Sequence, residues 1–165
     1  ILPNTELAEA AGLQVDNGIV VDEFCRTSDP DIVAAGDCTF HRNLFYPEAM
    51  RLESVQNAND QGAVVAGNIA GHDVAYNPEP WFWSDQYDMK LQIAGLNRGY
   101  DKIVARAGKR EGSMSHFYFA KGKFIAVDCM NDGAVYALSR RVLAAGTPLT
   151  PEQVADKEFN LKSLL

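Results

Sequence analysis

Three short segments of this 165-residue chain carry residue types that could do chemistry. In the first, the small apolar residues 32–35 lead into Gly36-Asp37, which predicts a buried strand whose end touches a ligand. Gly36 permits a close approach that a Cβ would block, and the Asp37 carboxylate can accept hydrogen bonds from a hydroxyl or from backbone amides. The competing interpretation is a turn aspartate that satisfies its own backbone.

The second segment, residues 53–58, contains the predicted start of a helix. Ser54 is a capping residue, so the amides of Val55 and Gln56 have no intrahelical acceptor. They point outward at the positive end of the helix dipole, which favours a ligand group that gains negative charge. An ordinary capped helix is the simpler alternative. Arg51 is expected at the surface, with Glu53 as its candidate partner.

The third segment is Trp81-Phe82-Trp83-Ser84-Asp85-Gln86, which follows Pro80. Three consecutive aromatic side chains are costly to leave in water. A plug at a domain interface is the simplest interpretation for Trp81 or Phe82.

In this order and at these spacings, the three segments resemble the C-terminal part of FAD-dependent ferredoxin reductases. This family includes putidaredoxin reductase, rubredoxin reductase and the reductases of aromatic-ring dioxygenases. The resemblance extends from residues 7–13 to Leu161-Lys162. Of the three segments, Trp-Phe-Trp-Ser-Asp-Gln is the most specific, because the Gly-Asp-Cys segment also fits the wider superfamily of flavoprotein disulfide reductases.

The resemblance implies a role for each segment. The aspartate would bind the ribityl chain of FAD, the backbone amide at the helix start would contact the pyrimidine edge of the flavin, and the indole would lie beside the isoalloxazine ring. The cofactor-binding residues that it implies are Gly36, Asp37, Ser54, Val55, Gln56 and Trp83. The residues that it implies for partner docking are Trp83, Arg140 and Lys162. For the two basic side chains, plain solvent-exposed charge is an equal alternative.

The function that the resemblance implies is electron transfer from NAD(P)H through FAD to a [2Fe–2S] ferredoxin or rubredoxin that serves an oxygenase. No Gly-x-Gly-x-x-Gly fingerprint occurs in this chain, whereas the family uses two of them for its nucleotides. Since the chain also begins with Ile1, we expect a fragment that is catalytically silent and binds FAD weakly or not at all. The alternative is a dimerisation or assembly module of a disulfide reductase, monodehydroascorbate reductase or apoptosis-inducing-factor type, in which case the fragment self-associates.

Composition excludes several other classes of function. The net charge is −7 and no stripe of Lys and Arg occurs, which argues against nucleic acid as a partner. No apolar run approaches the roughly 20 residues that span a bilayer, so no membrane role is expected. The thiols Cys25, Cys38 and Cys129 are odd in number and form no Cys-x-x-Cys pair, which argues against disulfides and iron–sulfur ligation and suits a reducing cytoplasm. All three are interpreted as small buried hydrophobes. His41, His72 and His116 are too far apart for a metal-site pattern, so no metal is expected.

The residue pattern predicts an α/β part followed by an α+β part. With the resemblance, the expected fold class is the C-terminal part of a Rossmann-like FAD-binding domain, residues 1–77, followed by a small C-terminal reductase domain of antiparallel sheet and helices, residues 78–165. The predicted helices cover residues 4–11, 54–70 and 131–144, with a short one beginning at Thr150-Pro151. The predicted strands cover residues 19–21, 32–35, 87–94, 102–107, 116–120 and 124–130, the last two joined by a turn at Lys121-Gly122-Lys123. The long helix is expected to bury Val55, Ala58, Val65 and Ile69.

Overall fold

The computed structural model describes residues 1–43, 45–46 and 48–165, and they form two compact units, Ile1–Pro78 and Glu79–Leu165. The first unit contains α1 Glu6–Ala10, β1 Val15–Asp16, β2 Gly18–Val20, β3 Thr39–Phe40 and α2 Val55–Ile69. The second contains β4 Trp81–Gln86, β5 Met89–Gly95, β6 Lys102–Ala107, β7 Met114–Ala120, β8 Lys123–Met130, α3 Gly133–Ala145, α4 Pro151–Ala155 and a 3-10 helix Leu161–Leu164. The predicted fold class is confirmed. Within the described residues, every helix is too short or too polar to cross a lipid bilayer.

In the first unit, β2 lies between the other two strands, antiparallel to β1 and parallel to β3. The predicted strand at residues 32–35 is wrong, because only Val33 pairs there, in an isolated bridge to Arg26. The Thr27 hydroxyl donates to the carbonyl of Ile32 at 2.8 Å, and this local loop satisfies backbone groups that a sheet would otherwise use. The strand that pairs in parallel is β3. Gly36-Asp37 therefore lies in a turn before a strand, not at the end of one.

Helix α2 begins where the sequence predicts, with Ser54 as its N-cap accepting a hydrogen bond from the Asn57 amide at 3.0 Å. Its predicted buried face is wrong except at Val65, which is partly buried against Cys25, Val64 and Tyr76. Val55 and Ile69 are 56% and 73% exposed, and Ala58 is exposed as well. The buried positions are mostly polar: Gln56, Asn57, Gln61 and Val64. The apolar pattern did not predict the buried face because the side chains of Asn57 and Gln61 are buried to form hydrogen bonds with neighbouring loops.

We expect Ser54→Ala to lower the free energy of unfolding of the first unit by about 1 kcal/mol, because it removes the cap of the only long helix described there. Urea unfolding of the chain followed by far-UV circular dichroism measures this loss. Ser84→Ala, at an exposed position of β4, is the control and should change stability little. A Ser54→Ala variant as stable as this control would contradict the expectation.

The second unit is an antiparallel sheet in the order β4-β5-β8-β7-β6. Helix α3 packs on β5 and β8, and α4 packs on β6. Along β7 the side chains of Ser115, Phe117 and Phe119 are buried, while those between them are half-buried. The core consists of Ala94, Phe117, Phe119, Phe124, Val127, Cys129, Tyr136, Val142, Leu149, Val154 and Leu161.

Most elements of the second unit match the sequence prediction, but strand β4 was not predicted. It forms a hairpin with β5 through Tyr87-Asp88, with Gln86 opposite Met89. Tyr87 has a φ of 57°, a conformation that Gly or Asn usually supplies in such turns. Without that signal, the predicted strand 87–94 begins inside the turn. The predicted turn at Lys121-Gly122 is confirmed, since both residues have positive φ.

Both predicted helices of the second unit are confirmed. Asp132 is the N-cap residue of α3, which ends at Gly146 in the left-handed conformation with a φ of 62°. Thr150 caps α4 through reciprocal hydrogen bonds with Gln153. Local caps thus mark the end of α3 and the start of α4, whereas the Asp132 side chain makes no capping hydrogen bond.

Candidate functional site

The Gly36-Asp37 turn is held against helix α2 by hydrogen bonds. The buried Gly36 amide donates to Oε1 of Gln61 at 2.7 Å, and the Gly36 carbonyl accepts from the hydroxyl of Thr39 at 2.9 Å. A Cβ on Gly36 would lie 3.8 Å from that of Ala58, an ordinary contact, but its φ is +89°. Backbone conformation, more than space, therefore requires glycine here. The Asp37 side chain is exposed and free to meet a ligand.

Gln61 is the centre of a buried polar network that the sequence analysis missed. Its side chain is fully buried. Oε1 also lies 3.0 Å from the Thr39 hydroxyl, which shares its one proton with the Gly36 carbonyl, and accepts from the side-chain amide of Asn57 at 3.4 Å. Asn57 in turn accepts the Tyr76 hydroxyl at 2.6 Å. The only sequence signal for this network was the polar stripe Asn57–Gln61 at helical spacing.

His41 completes the network as a neutral ring. Burial lowers the pKa of His41 to about 4, and its ring packs edge-on against Tyr76 at 5.2 Å. Nδ1 lies 3.4 Å from the side-chain nitrogen of Gln61, which can only donate, so the His41 proton resides on Nε2. That Nε2 is buried without a hydrogen-bond partner among the described residues. The network therefore adds no positive charge beneath the turn.

Arg51 joins the turn to the start of α2. Its guanidinium lies 2.7 Å from the Glu53 carboxylate, the partner that the sequence suggested, and 3.4 Å from the Asp37 carbonyl oxygen. The side chain is only 12% exposed, so the expectation of a surface arginine is wrong. Arg51 and Gln61 together bring the first two sequence segments side by side.

At the start of α2, the Ser54 hydroxyl accepts a hydrogen bond from the third backbone amide of the helix, that of Asn57. The amides of Val55 and Gln56 have no intrahelical acceptor. The Gln56 side chain is buried and donates to Asp60. Its own oxygen has no partner within the described part of the chain. Any contact of Gln56 with a ligand would therefore come from its backbone.

The third segment lies in the second unit. Trp83 is 46% exposed and stacks on Trp81, with ring centroids 5.5 Å apart and an interplanar angle of 27°. Arg140 lies over the ring of Trp81, and its side chain is 37% exposed. Lys162 is exposed in the 3-10 helix. That Trp83 meets Asp37 and Val55 around one ligand stays a prediction.

The cysteines are free thiols, and the expectation of burial is confirmed for two of them. Burial raises the pKa of Cys25 to about 11 and that of Cys129 to about 12, which makes both unreactive. Cys38 is only half-buried, so the expectation is wrong there. Among residues 1–43, 45–46 and 48–165, no three His, Cys, Asp or Glu side chains are grouped closely enough to hold a metal ion.

Two family models match the chain. The model described as "Reductase C-terminal" matches residues 81–165, and the model described as "Pyridine nucleotide-disulphide oxidoreductase" matches residues 1–62. Rhodocoxin reductase of Rhodococcus erythropolis is 46% identical over 162 residues, which are 98% of this chain and 38% of that protein. The ferredoxin–NAD(+) reductase component of the anthranilate 1,2-dioxygenase system of Burkholderia cepacia is 45% identical and matches 100% of this chain and 41% of its own length.

A solved structure gives the same result in three dimensions. The covalent putidaredoxin reductase–putidaredoxin complex matches 99% of this chain with a TM-score of 0.91 and 40% identity, and the match covers 39% of that reductase chain. The chain thus spans about two fifths of the length of the relatives it matches. Because the first family model covers more than half of its residues, the chain belongs to the Reductase C-terminal family, and it is similar to ferredoxin reductases over nearly its whole length.

Proposed function

We propose that this chain forms one wall of the FAD site of a ferredoxin reductase that passes electrons from NAD(P)H through FAD to a [2Fe–2S] ferredoxin or rubredoxin. The observation that carries the proposal is the joint anchoring of the Gly36-Asp37 turn and the α2 start by Gln61 and Arg51. Two segments far apart in sequence thereby offer one carboxylate and two helix amides on neighbouring elements. The relatives, a ferredoxin–NAD(+) reductase component and a reductase bound to putidaredoxin, support the same reaction.

The residues present fit a flavin nucleotide. An exposed carboxylate at Asp37 can accept hydrogen bonds from the hydroxyls of a ribityl chain, and a charged acceptor makes such bonds stronger than neutral ones. The amides of Val55 and Gln56 at the positive end of α2 favour a ring edge that becomes negative on reduction. The chemistry that FAD would supply there is the conversion of a hydride into two single-electron transfers. The neutral His41 adds no positive charge to that of the helix end.

The partner surface in this proposal includes Trp83 and Lys162, both exposed in the second unit. A half-exposed indole excludes water where an iron–sulfur protein docks, and a lysine sets the rate of association with an acidic partner. Arg140 is the weakest of the three docking candidates because its guanidinium lies 3.9 Å from the Glu79 carboxylate. The proposal also includes a cytoplasmic location for the reductase and an aromatic-ring oxygenase as the enzyme that its partner serves. It further includes self-association of the isolated chain.

The proposal predicts that Asp37→Ala weakens FAD binding in the full-length reductase that contains this chain. Loss of a charge-assisted hydrogen bond worth about 2 kcal/mol corresponds to an affinity roughly thirtyfold lower. Flavin release during gel filtration and a fluorescence titration of the apoprotein with FAD measure the change.

The matched control is Asp31→Ala, which removes an exposed carboxylate from the same loop and should leave FAD affinity unaltered. Equal flavin retention by both variants would show that Asp37 does not contribute to FAD binding. For the 165-residue chain alone, we expect no quenching of flavin fluorescence at micromolar concentration.

A further inference from the structure

The second unit contains a stack of side chains that the proposed function leaves unexplained. Trp81 and Trp83 alternate with Phe82 along β4 and therefore point to the same face of the sheet. Their rings stack at 5.5 Å. Trp81 packs against the core, whereas Trp83 remains 46% exposed. The orientation of the exposed indole thus depends on the one beside it. We call Trp81 and Trp83 the tryptophan stack.

Arg140 of α3 is the cation that covers this stack. Its guanidinium carbon lies 4.8 Å from the ring centroid of Trp81 and 5.9 Å from that of Tyr136. Tyr136 precedes Arg140 by one helical turn, so the two share a face of α3. A guanidinium held against an aromatic ring is attracted by its negative face, more strongly as water is excluded.

Glu79 holds Arg140 in this position. Its side chain is only 7% exposed, and Oε2 lies 3.9 Å from Nε of Arg140. The other oxygen, Oε1, and the Arg140 Nε are both buried without a hydrogen bond inside the described residues. The two groups border a cavity of about 280 Å³ that Arg141 also lines. A carboxylate this deeply buried serves a purpose other than solubility, since its charge is costly without the arginine.

We propose that Glu79 and Arg140 are positioning residues that fix the tryptophan stack and, through Trp81, the orientation of the exposed Trp83 ring. Arg140 is then a structural cation of this stack, and its charge acts largely inside the second unit instead of on a docking partner. The consequence for electron transfer rests on the proposed function, in which Trp83 lies beside the flavin. The positioning itself rests only on the geometry of the second unit.

The ionisation of Glu79 provides a second test of the proposal. Burial raises the pKa of Glu79 to about 7, and the nearby Arg140 opposes that rise. Below this value the carboxyl is neutral and holds the guanidinium less strongly; above it the charge pair is complete. The charged and titratable groups that border Glu79 are Arg140, Arg141 and Tyr136, all on α3. The burial of Tyr136 raises its own pKa, so Glu79 is the member of the group that changes charge near neutral pH.

The experiment uses the intact chain, whose only tryptophans are the two of the stack. Tryptophan emission and the near-ultraviolet circular dichroism of the indoles therefore report on this stack alone. We expect Arg140→Gln to shift the emission to the red and to reduce the dichroism of the indole pair, while Arg140→Lys restores part of both signals. Arg141→Gln, which changes a neighbouring arginine of the same helix, is the matched control and should alter neither.

Unchanged tryptophan signals in a folded Arg140→Gln variant would overturn the proposal. Should that variant fail to fold, the pH dependence decides the matter. The emission of the native chain should change with a midpoint near pH 7, and Glu79→Gln should abolish that step. A step that persists in Glu79→Gln would equally overturn the proposal. None of these signals needs flavin or ferredoxin, so a failure of this proposal can be distinguished from a failure of the proposed function.

Discussion

We expect Gln61→Leu to destabilise the first unit by about 3 kcal/mol or more, because it leaves buried polar groups without partners. Oε1 of Gln61 accepts from the Gly36 amide, the Thr39 hydroxyl and the Asn57 side chain. Leucine has a similar size but no acceptor, so the Gly36 amide and the Asn57 side chain would each lose a hydrogen bond in a place that water does not reach, while the Thr39 hydroxyl would keep the Gly36 carbonyl as its acceptor. The loss of folding free energy in Gln61→Leu is the cost of burying donors without acceptors, which is larger than the net contribution of one hydrogen bond.

Urea unfolding followed by far-UV circular dichroism measures the loss, and hydrogen exchange at the Gly36 amide measures the same contact locally. Asn59→Leu provides the control, because it introduces the same side chain at an exposed position of the same helix. We expect its effect to stay within about 0.5 kcal/mol. If both variants unfold at the same urea concentration, the network does not anchor the turn.

This prediction connects stability to the site. The Gly36 amide is bonded to Gln61 at 2.7 Å, and the next residue carries the exposed carboxylate of Asp37. Loss of Gln61 should therefore loosen the carboxylate even in chains that remain folded. In the full-length reductase we expect Gln61→Leu to weaken FAD binding in the same direction as Asp37→Ala, although it removes no group that would touch the flavin.

The second large effect is expected in the other unit, where Gly95→Ala should cost about 3 kcal/mol or more. Gly95 ends β5 with a φ of +74°, and a Cβ there would lie 2.2 Å from the carbonyl oxygen of Ile125. The sheet explains the close approach. On β7, Tyr118 pairs with Ala126 and Phe119 with Phe124, so Ile125 of β8 is an extra residue in a β-bulge. The bulge presses its carbonyl towards β5, and backbone on both sides cannot yield without disturbing the sheet.

Gly99→Ala is a matched control for this substitution. Its φ of +73° is almost the same, but a Cβ added there would have no neighbouring atom within 4 Å. Gly99→Ala should therefore lower the free energy of unfolding only by the cost of placing a residue with a Cβ at positive φ, about 1 kcal/mol. Thermal or urea unfolding of the second unit, followed by the near-ultraviolet signal of its tryptophans, compares the two. Equal losses would mean that the bulge relaxes and that the steric contact is unimportant.

The family was predictable from sequence because its signal is local. Gly36-Asp37, the start of α2 and the Trp-Phe-Trp segment are short strings, and a string can be recognised without knowing what it packs against. The caps at Ser54 and Thr150 were predictable for the same reason, since each bonds an amide within three residues.

The predictions that failed were those in which the residue pattern gave no signal of the true backbone partner. Residues 32–35 look like a buried strand, but their backbone bonds to residues 25–27. Strand β4 exists because β5 pairs with it along its whole length, and the hairpin turn at Tyr87 gives no glycine signal.

Local capping signals thus indicated where helices begin and end, and the resemblance of three short motifs to a known family supplied the family and the residues proposed to face a cofactor. The tertiary structure decided which side chains support them. Gln61 and Asn57 look like solvent-exposed helix residues until the Gly36 turn and Tyr76 reach them, and Arg140 looks like a plain surface charge until the fold places Glu79 and Trp81 beside it. A buried polar group is stable only with its partner in place, and that partner is chosen by the fold rather than by its neighbours in the chain.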